Sequence, residues 1–113
     1  MKIDTETEKK IQDLQLLEQN LQHFLIEKQS IQIELNEVSN ALEELQKTKD
    51  EVYRILSNIM IKSDKESLFK ELQDKKKILE LRISLIEKQE RLVEEKAIIL
   101  RKELNLLISR EKN

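Results

Sequence analysis

The sequence predicts a mainly α protein in which two long antiparallel helices pair as a coiled coil and are joined by a single β-hairpin. Three observations carry that expectation. Apolar residues recur at seven-residue steps in both halves of the chain, the 113 residues include no glycine and no proline, and one β-branched run, Val52 to Lys62, interrupts the pattern near the midpoint. Without Gly or Pro few turns are available, so long helices with one reversal are the economical reading. The length sets an expectation of one domain, residues 1–113.

The first helix is expected over about residues 6–49. Leu14, Leu21, Lys28, Leu35 and Leu42 stand seven apart, and so do Leu17, Phe24, Ile31, Val38 and Leu45, offset by three. These are the a and d positions of a coiled coil, broken once at Lys28. Glu, Gln, Asn and Lys fill the positions between.

The hairpin is expected at 52–56 and 59–63, turning at Ser57-Asn58. Asn58 tolerates the left-handed conformation that a two-residue turn needs, and Ser is acceptable in turns. Pairing Leu56 with Ile59 places Val52, Arg54, Leu56, Ile59 and Ile61 on one face and Tyr53, Ile55, Met60 and Lys62 on the other. Both faces are largely apolar. A lone two-stranded hairpin is marginal in water and its edges are open to further pairing. The hairpin therefore reads as an assembly element that joins hairpins of sister chains through Val52, Tyr53, Ile55, Leu56, Ile59, Met60 and Ile61.

The second helix is expected over 64–111. Ser63-Asp64-Lys65-Glu66 is a helix-start pattern in which Ser63 or Asp64 caps and an acidic residue lies in the first turn. Leu72, Leu79, Ile86, Val93, Leu100 and Leu107 form one heptad column, and Phe69, Ile83, Ala97 and Leu104 form a second, broken by Lys76 and Glu90. Each helix of about 45 residues is on the order of 65 Å long.

Folding the seams together with Leu42 opposite Leu72 brings Leu35 to Leu79, Ile31 to Ile83, Leu21 to Val93 and Leu14 to Leu100. The breaks at Lys28 and Glu90 fall one layer apart, so a diagonal pair that helps fix register is expected. Apolar residues are left over. The second helix carries a third column, Ile78, Leu85, Leu92, Ile99 and Leu106, with Ile98 and Ile108 near its end. The first helix adds Ile11, Leu16, Leu25, Ile26 and Ile33. Leu104 and Leu107 are expected to face only Lys10 and the polar stretch near Thr7. Such a surplus marks an interaction surface. A helix–helix contact in an oligomer and a binding surface for other protein both explain it.

Composition excludes several classes. Net charge is −2 with both signs interspersed, which gives no footprint for nucleic acid and no basic face for a membrane. The absence of Cys removes disulfides and thiolate metal sites and suits a reducing, intracellular compartment. The first twenty residues are polar and acidic, so no signal peptide is expected, and no apolar run approaches the roughly 20 residues that span a bilayer. His23 is the only histidine and is expected at a solvent-facing position. The carboxylates are interleaved with Lys, as solvated i,i+4 pairs are. No nucleophile, phosphate loop, metal site or cofactor is indicated, and the chain is expected not to be an enzyme. Arg101, Lys102, Arg110 and Lys112 cluster near the end of the second helix, where a solvated helix end is the plain reading.

Helix, single hairpin and helix, in this order and at this length, resemble the β-class subunit of archaeal-type prefoldin. The resemblance runs from about Leu14 to Leu107 and is most specific at LNEVSNALEELQ, VYRILSNIMIK and SDKESLFKELQDKKKILELRI. The family often has Gly in the hairpin turn, where this chain has Ser57-Asn58. The resemblance implies a cytoplasmic α2β4 hexamer with an α-class subunit and sister β subunits, its hairpins closing into β-barrels. It implies an ATP-independent holdase that binds unfolded polypeptides at the coiled-coil tips and passes them to a group II chaperonin. The client-binding residues would be Ile11, Leu16, Leu25, Ile98, Ile99, Leu104, Leu106, Leu107 and Ile108, and Arg101, Lys102, Arg110 and Lys112 would contact the chaperonin. The Lys/Glu/Ile-rich composition suits an archaeal source. A structural coiled-coil adaptor or tether, its apolar surface buried by a permanent partner, is the alternative; a nucleic-acid-binding arm is disfavoured by mixed charge and few aromatics.

Overall fold

The computed structural model describes residues 4–112. Helix α1 spans Thr5–Lys47, strands β1 and β2 span Val52–Leu56 and Ile59–Ser63, and helix α2 spans Lys65–Lys112.

Both helices begin at an aspartate. The Asp4 carboxylate accepts from the Thr7 amide at 2.7 Å, and the Asp64 carboxylate accepts from the Ser67 amide at 3.2 Å and the Ser67 hydroxyl at 2.8 Å. Each satisfies an amide that the first helical turn leaves without a partner. Of the two candidate caps for α2, Asp64 takes the role, and Ser63 closes β2 instead. Helix α1 stops at Lys47, two residues before the expected end. The Thr48 amide still reaches the Glu44 carbonyl at 3.0 Å, but the Thr48 carbonyl accepts the Lys65 ammonium at 2.8 Å, and the Thr48 hydroxyl accepts the Asp50 amide at 3.3 Å. That local alternative to the next helical bonds is one Thr offers readily.

The packing falls into two units, Met1–Lys28 with Leu85–Asn113, and Gln29–Ser84. In the first, Thr7, Ile86, Ala97 and Leu104 are buried; in the second, Ile31, Val38, Leu45 and Leu79 are. All are residues of the seven-residue columns, apart from Thr7, which continues the Leu14–Leu21 column one step earlier. Leu104, expected among the client-binding residues, is corrected in one respect: it is buried, at 6% exposure. Thr7 is buried in the same unit, at 2% exposure, and its hydroxyl oxygen has no hydrogen-bond partner among the described residues.

Ion pairs trace the antiparallel course within each unit. In the first unit Lys10 meets Glu103 at 2.7 Å, Glu18 meets Arg101 at 3.6 Å, and Lys28 meets Glu90 at 2.7 Å. In the second, Glu34 meets Lys75 at 3.1 Å. Lys28 and Glu90 are the two polar interruptions of the seam, and they form the diagonal pair expected of them. Their side chains are 28% and 20% exposed, so the methylenes pack in the seam while the charged ends meet at its edge.

The hairpin pairs Leu56 with Ile59, Ile55 with Met60, Arg54 with Ile61, Tyr53 with Lys62 and Val52 with Ser63, the register read from the sequence. The turn differs in one respect. Ser57, not Asn58, takes the left-handed conformation, with φ of 55°, and it is the only non-glycine residue with positive φ among those described. A type I′ turn needs positive φ at both central residues. Here only the first has it.

Two outcomes follow. In urea unfolding, Lys28→Ala and Glu90→Ala are each expected to cost about 1–3 kcal/mol by leaving the other half-buried charge unpaired, and the double-mutant cycle should return a coupling above roughly 0.5 kcal/mol. A coupling of zero would mean that the pair adds nothing beyond two separate side chains. Ser57→Gly removes the Cβ that disfavours positive φ and is expected to raise stability by up to about 1 kcal/mol, read as a rise in the urea midpoint.

Candidate interaction surfaces

The hairpin is fastened at its root and bare toward its turn. Arg54 forms an ion pair with Glu71 of α2. The Glu51 carboxylate accepts from the Tyr53 hydroxyl at 2.8 Å and pairs with the Lys62 ammonium at 3.0 Å. Lys62 first, and then Tyr53, hold the Glu51 carboxyl below the usual glutamate range. Beyond these contacts the surface is apolar. Tyr53, Ile55, Leu56, Ile59, Met60 and Ile61 are all exposed, Ile55 at 68%; Val52 alone of the expected assembly residues is half-buried. Toward the turn, neither face is covered among the described residues.

The unit of Met1–Lys28 with Leu85–Asn113 carries the second surface. Of the residues expected there, Leu16, Leu25, Ile98, Ile99 and Leu106 are exposed, Ile11, Leu107 and Ile108 are half-buried, and Leu104 is buried. Leu16, Leu17, Ile99 and Leu100 line a shallow open groove, edged by Asp13, Lys96 and Glu103. At that edge the Glu103 carboxylate holds the Lys10 ammonium above its ordinary pKa. Arg101, Lys102 and Arg110 are exposed, with Arg101 engaged by Glu18. The side chain of Lys112 lies outside the described residues.

Sequence reasoning passed over part of this surface. Leu85 and Leu92, exposed at 52% and 60%, belong to the third column but were not counted as site residues, and neither was the exposed Ile26 of α1. In the Gln29–Ser84 unit, Ile33 and Leu81 are also exposed. Leu81 stands in no column, so no periodic signal marks it.

His23 is exposed. Among the described residues no group of three or more His, Cys, Asp or Glu could hold a metal ion, and no helix is long and apolar enough to cross a membrane.

Two capped helices on one heptad seam, reversed through a hairpin with two apolar faces, define a coiled-coil subunit of the hairpin-bearing class. The model of the prefoldin subunit family matches residues 8–111. Prefoldin subunit beta of Sulfurisphaera tokodaii is 39% identical over 111 residues, covering 96% of this chain and 89% of the relative. Prefoldin subunit beta of Archaeoglobus fulgidus is 37% identical over 101 residues, covering 88% and 87%. The crystal structure of the prefoldin beta subunit from Thermococcus strain KS-1 superposes with a TM-score of 0.84 at 29% identity, covering 94% of this chain and 95% of that one. The chain belongs to the prefoldin family of chaperone subunits, in its β class.

The Glu51 contacts have a direct readout. In an NMR pH titration the Glu51 carboxyl is expected to titrate below the ordinary glutamate value, and Lys62→Ala should bring its midpoint back up. An unchanged midpoint in that variant would mean that the ion pair at the hairpin root does not form in solution.

Proposed function

We propose that this chain is a subunit of an ATP-independent holdase that keeps unfolded polypeptides from aggregating and delivers them to a group II chaperonin. The observation that carries this reading is the exposed apolar surface of the Met1–Lys28 with Leu85–Asn113 unit. Leu16, Leu25, Ile98, Ile99 and Leu106 stand open to water on a chain whose other exposed positions there are mostly charged or polar. These contacts are shallow and separate, so each holds a client weakly. Several subunits acting together would hold it well without reading one sequence.

The hairpin supplies the subunits. Apolar faces and open edges favour association with hairpins of an α-class subunit and sister β subunits, in an α2β4 hexamer whose hairpins close into β-barrels, working in the cytoplasm. Arg101, Lys102, Arg110 and Lys112 would meet an acidic chaperonin surface.

The test is to assemble the chain with an α-class subunit and dilute a chemically denatured protein into it. Suppressed aggregation at a hexamer-like mass is expected. Leu16→Ser, Ile99→Ser and Leu106→Ser together should abolish suppression while keeping helicity and mass, because none of the three lies in the seam. Leu56→Asp with Ile59→Asp should prevent assembly while leaving the helices folded. Assembly without any suppression by the unaltered chain would overturn the holdase reading in favour of a structural tether.

A further inference from the structure

The ion pair between β1 and α2 sits where it can aim the hairpin. Strand β2 runs into α2 with only Asp64 between Ser63 and Lys65, whereas residues 48–51 separate α1 from β1. The short covalent junction therefore attaches the hairpin to α2 through one strand. Each residue has two soft backbone dihedrals, so a junction at Asp64 alone leaves the hairpin free to swing about it.

Arg54, on the other strand, supplies a second attachment. It stands opposite Ile61 in the register, and its guanidinium pairs with Glu71. Glu71 lies six residues after Lys65, the first residue of α2, which is about 9 Å along the helix axis. Two attachments, on different strands and at different heights on α2, stop a rotation that one would allow. The burial of the hairpin agrees. Side chains alternate between the faces of a strand. On the Arg54 face Val52, Arg54 and Ser63 are half-buried, while Tyr53, Ile55, Met60 and Lys62 of the opposite face are all exposed. Apolar packing does little to hold this arrangement, since Leu56, Ile59 and Ile61 of the Arg54 face stand open as well.

The pair suits aiming better than holding. Its side chains are 40% and 52% exposed, and an exposed pair adds little to stability, roughly a five-fold preference at most. The guanidinium is planar and presents its donors in a fixed fork, so that preference favours one geometry. Where several hairpins must be aimed alike to close on one another, the preference multiplies over all of them.

We propose that Arg54 and Glu71 are positioning residues for assembly: their ion pair fixes the direction of the hairpin relative to α2, so that hairpins of neighbouring subunits meet at one angle. The effect on direction stands by itself; the effect on assembly rests on the proposed joining of subunits through their hairpins.

The chain contains no cysteine, so two can be introduced and spin-labelled. Asn58→Cys at the turn and Ile78→Cys on the exposed side of α2 are combined in the full-length chain. The spread of distances between the labels is read by pulsed EPR after dilution with unlabelled chain. Glu71→Ala is expected to widen that spread at least 1.5-fold with helicity and urea midpoint unchanged, and the exchanged pair, Arg54→Glu with Glu71→Arg, should narrow it again. Mixed with an α-class subunit, unlabelled Glu71→Ala should give several-fold less particle of hexamer-like mass, and the exchanged pair should restore it. An unchanged spread in Glu71→Ala, or no narrowing in the exchanged pair, overturns the positioning role. A widened spread with full assembly overturns the link to assembly. Absence of any particle from the unaltered chain overturns joining through hairpins instead, and the distance measurement then decides the positioning by itself.

Discussion

The structure depends on one narrow apolar seam between two helices. A coiled-coil seam buries about two residues in seven from each helix, and the described residues hold no other element than the short hairpin. Most apolar residues outside those two columns stay open to water unless another molecule covers them. That is the origin of the exposed Leu16, Leu92, Ile99 and Leu106 beside the buried Ile86, Ala97 and Leu104. A globular protein with the same composition could hide them in a second layer. Here the fold that makes the chain stable is also the one that presents apolar surface.

The seam is also polar where it can least easily be. Lys10 and Lys28 occupy seam columns, and each sends its ammonium to a glutamate at the seam's edge, Glu103 and Glu90. A leucine at either place would bury more apolar area. It would also let the helices slip by a heptad with little penalty, because the apolar layers on either side are alike. A charged pair that forms in only one alignment separates that alignment from its neighbours, a role for which polar seam residues are well attested.

Much of this was legible because a seven-residue repeat needs no tertiary information. The columns, the hairpin strands and their register, and the Lys28–Glu90 pair are all consequences of spacing, and the structure has them as read. What was not legible depends on single atoms. Which of Ser63 and Asp64 caps α2 turns on which side-chain oxygen, hydroxyl or carboxylate, reaches the Ser67 amide. The early end of α1 turns on Lys65 reaching the Thr48 carbonyl across the hairpin root, a contact between residues far apart in sequence. The burial of Leu104 and of Thr7, a residue that counts as polar in the sequence, depends on how the helix ends pack and leaves no periodic signal. Ser57 takes the left-handed position although Asn58 is the better residue for it, because the register of β1 and β2 decides which turn residue must bend that way.

The hairpin shows how a marginal element is made ready for association. Its polar contacts are gathered at the root, where Arg54 reaches Glu71, Glu51 takes both Lys62 and Tyr53, and Lys65 holds Thr48. Toward the turn, Ile55, Leu56, Ile59 and Met60 have no such ties and no cover. Fastening the root reduces the freedom that the strands would otherwise lose on meeting a partner, and lost freedom is a main cost of association. The bare end keeps the apolar area that drives it. Had the contacts been spread evenly, the hairpin would be better solvated and poorer at joining another. Their placement lets one two-stranded element be ordered alone and still incomplete.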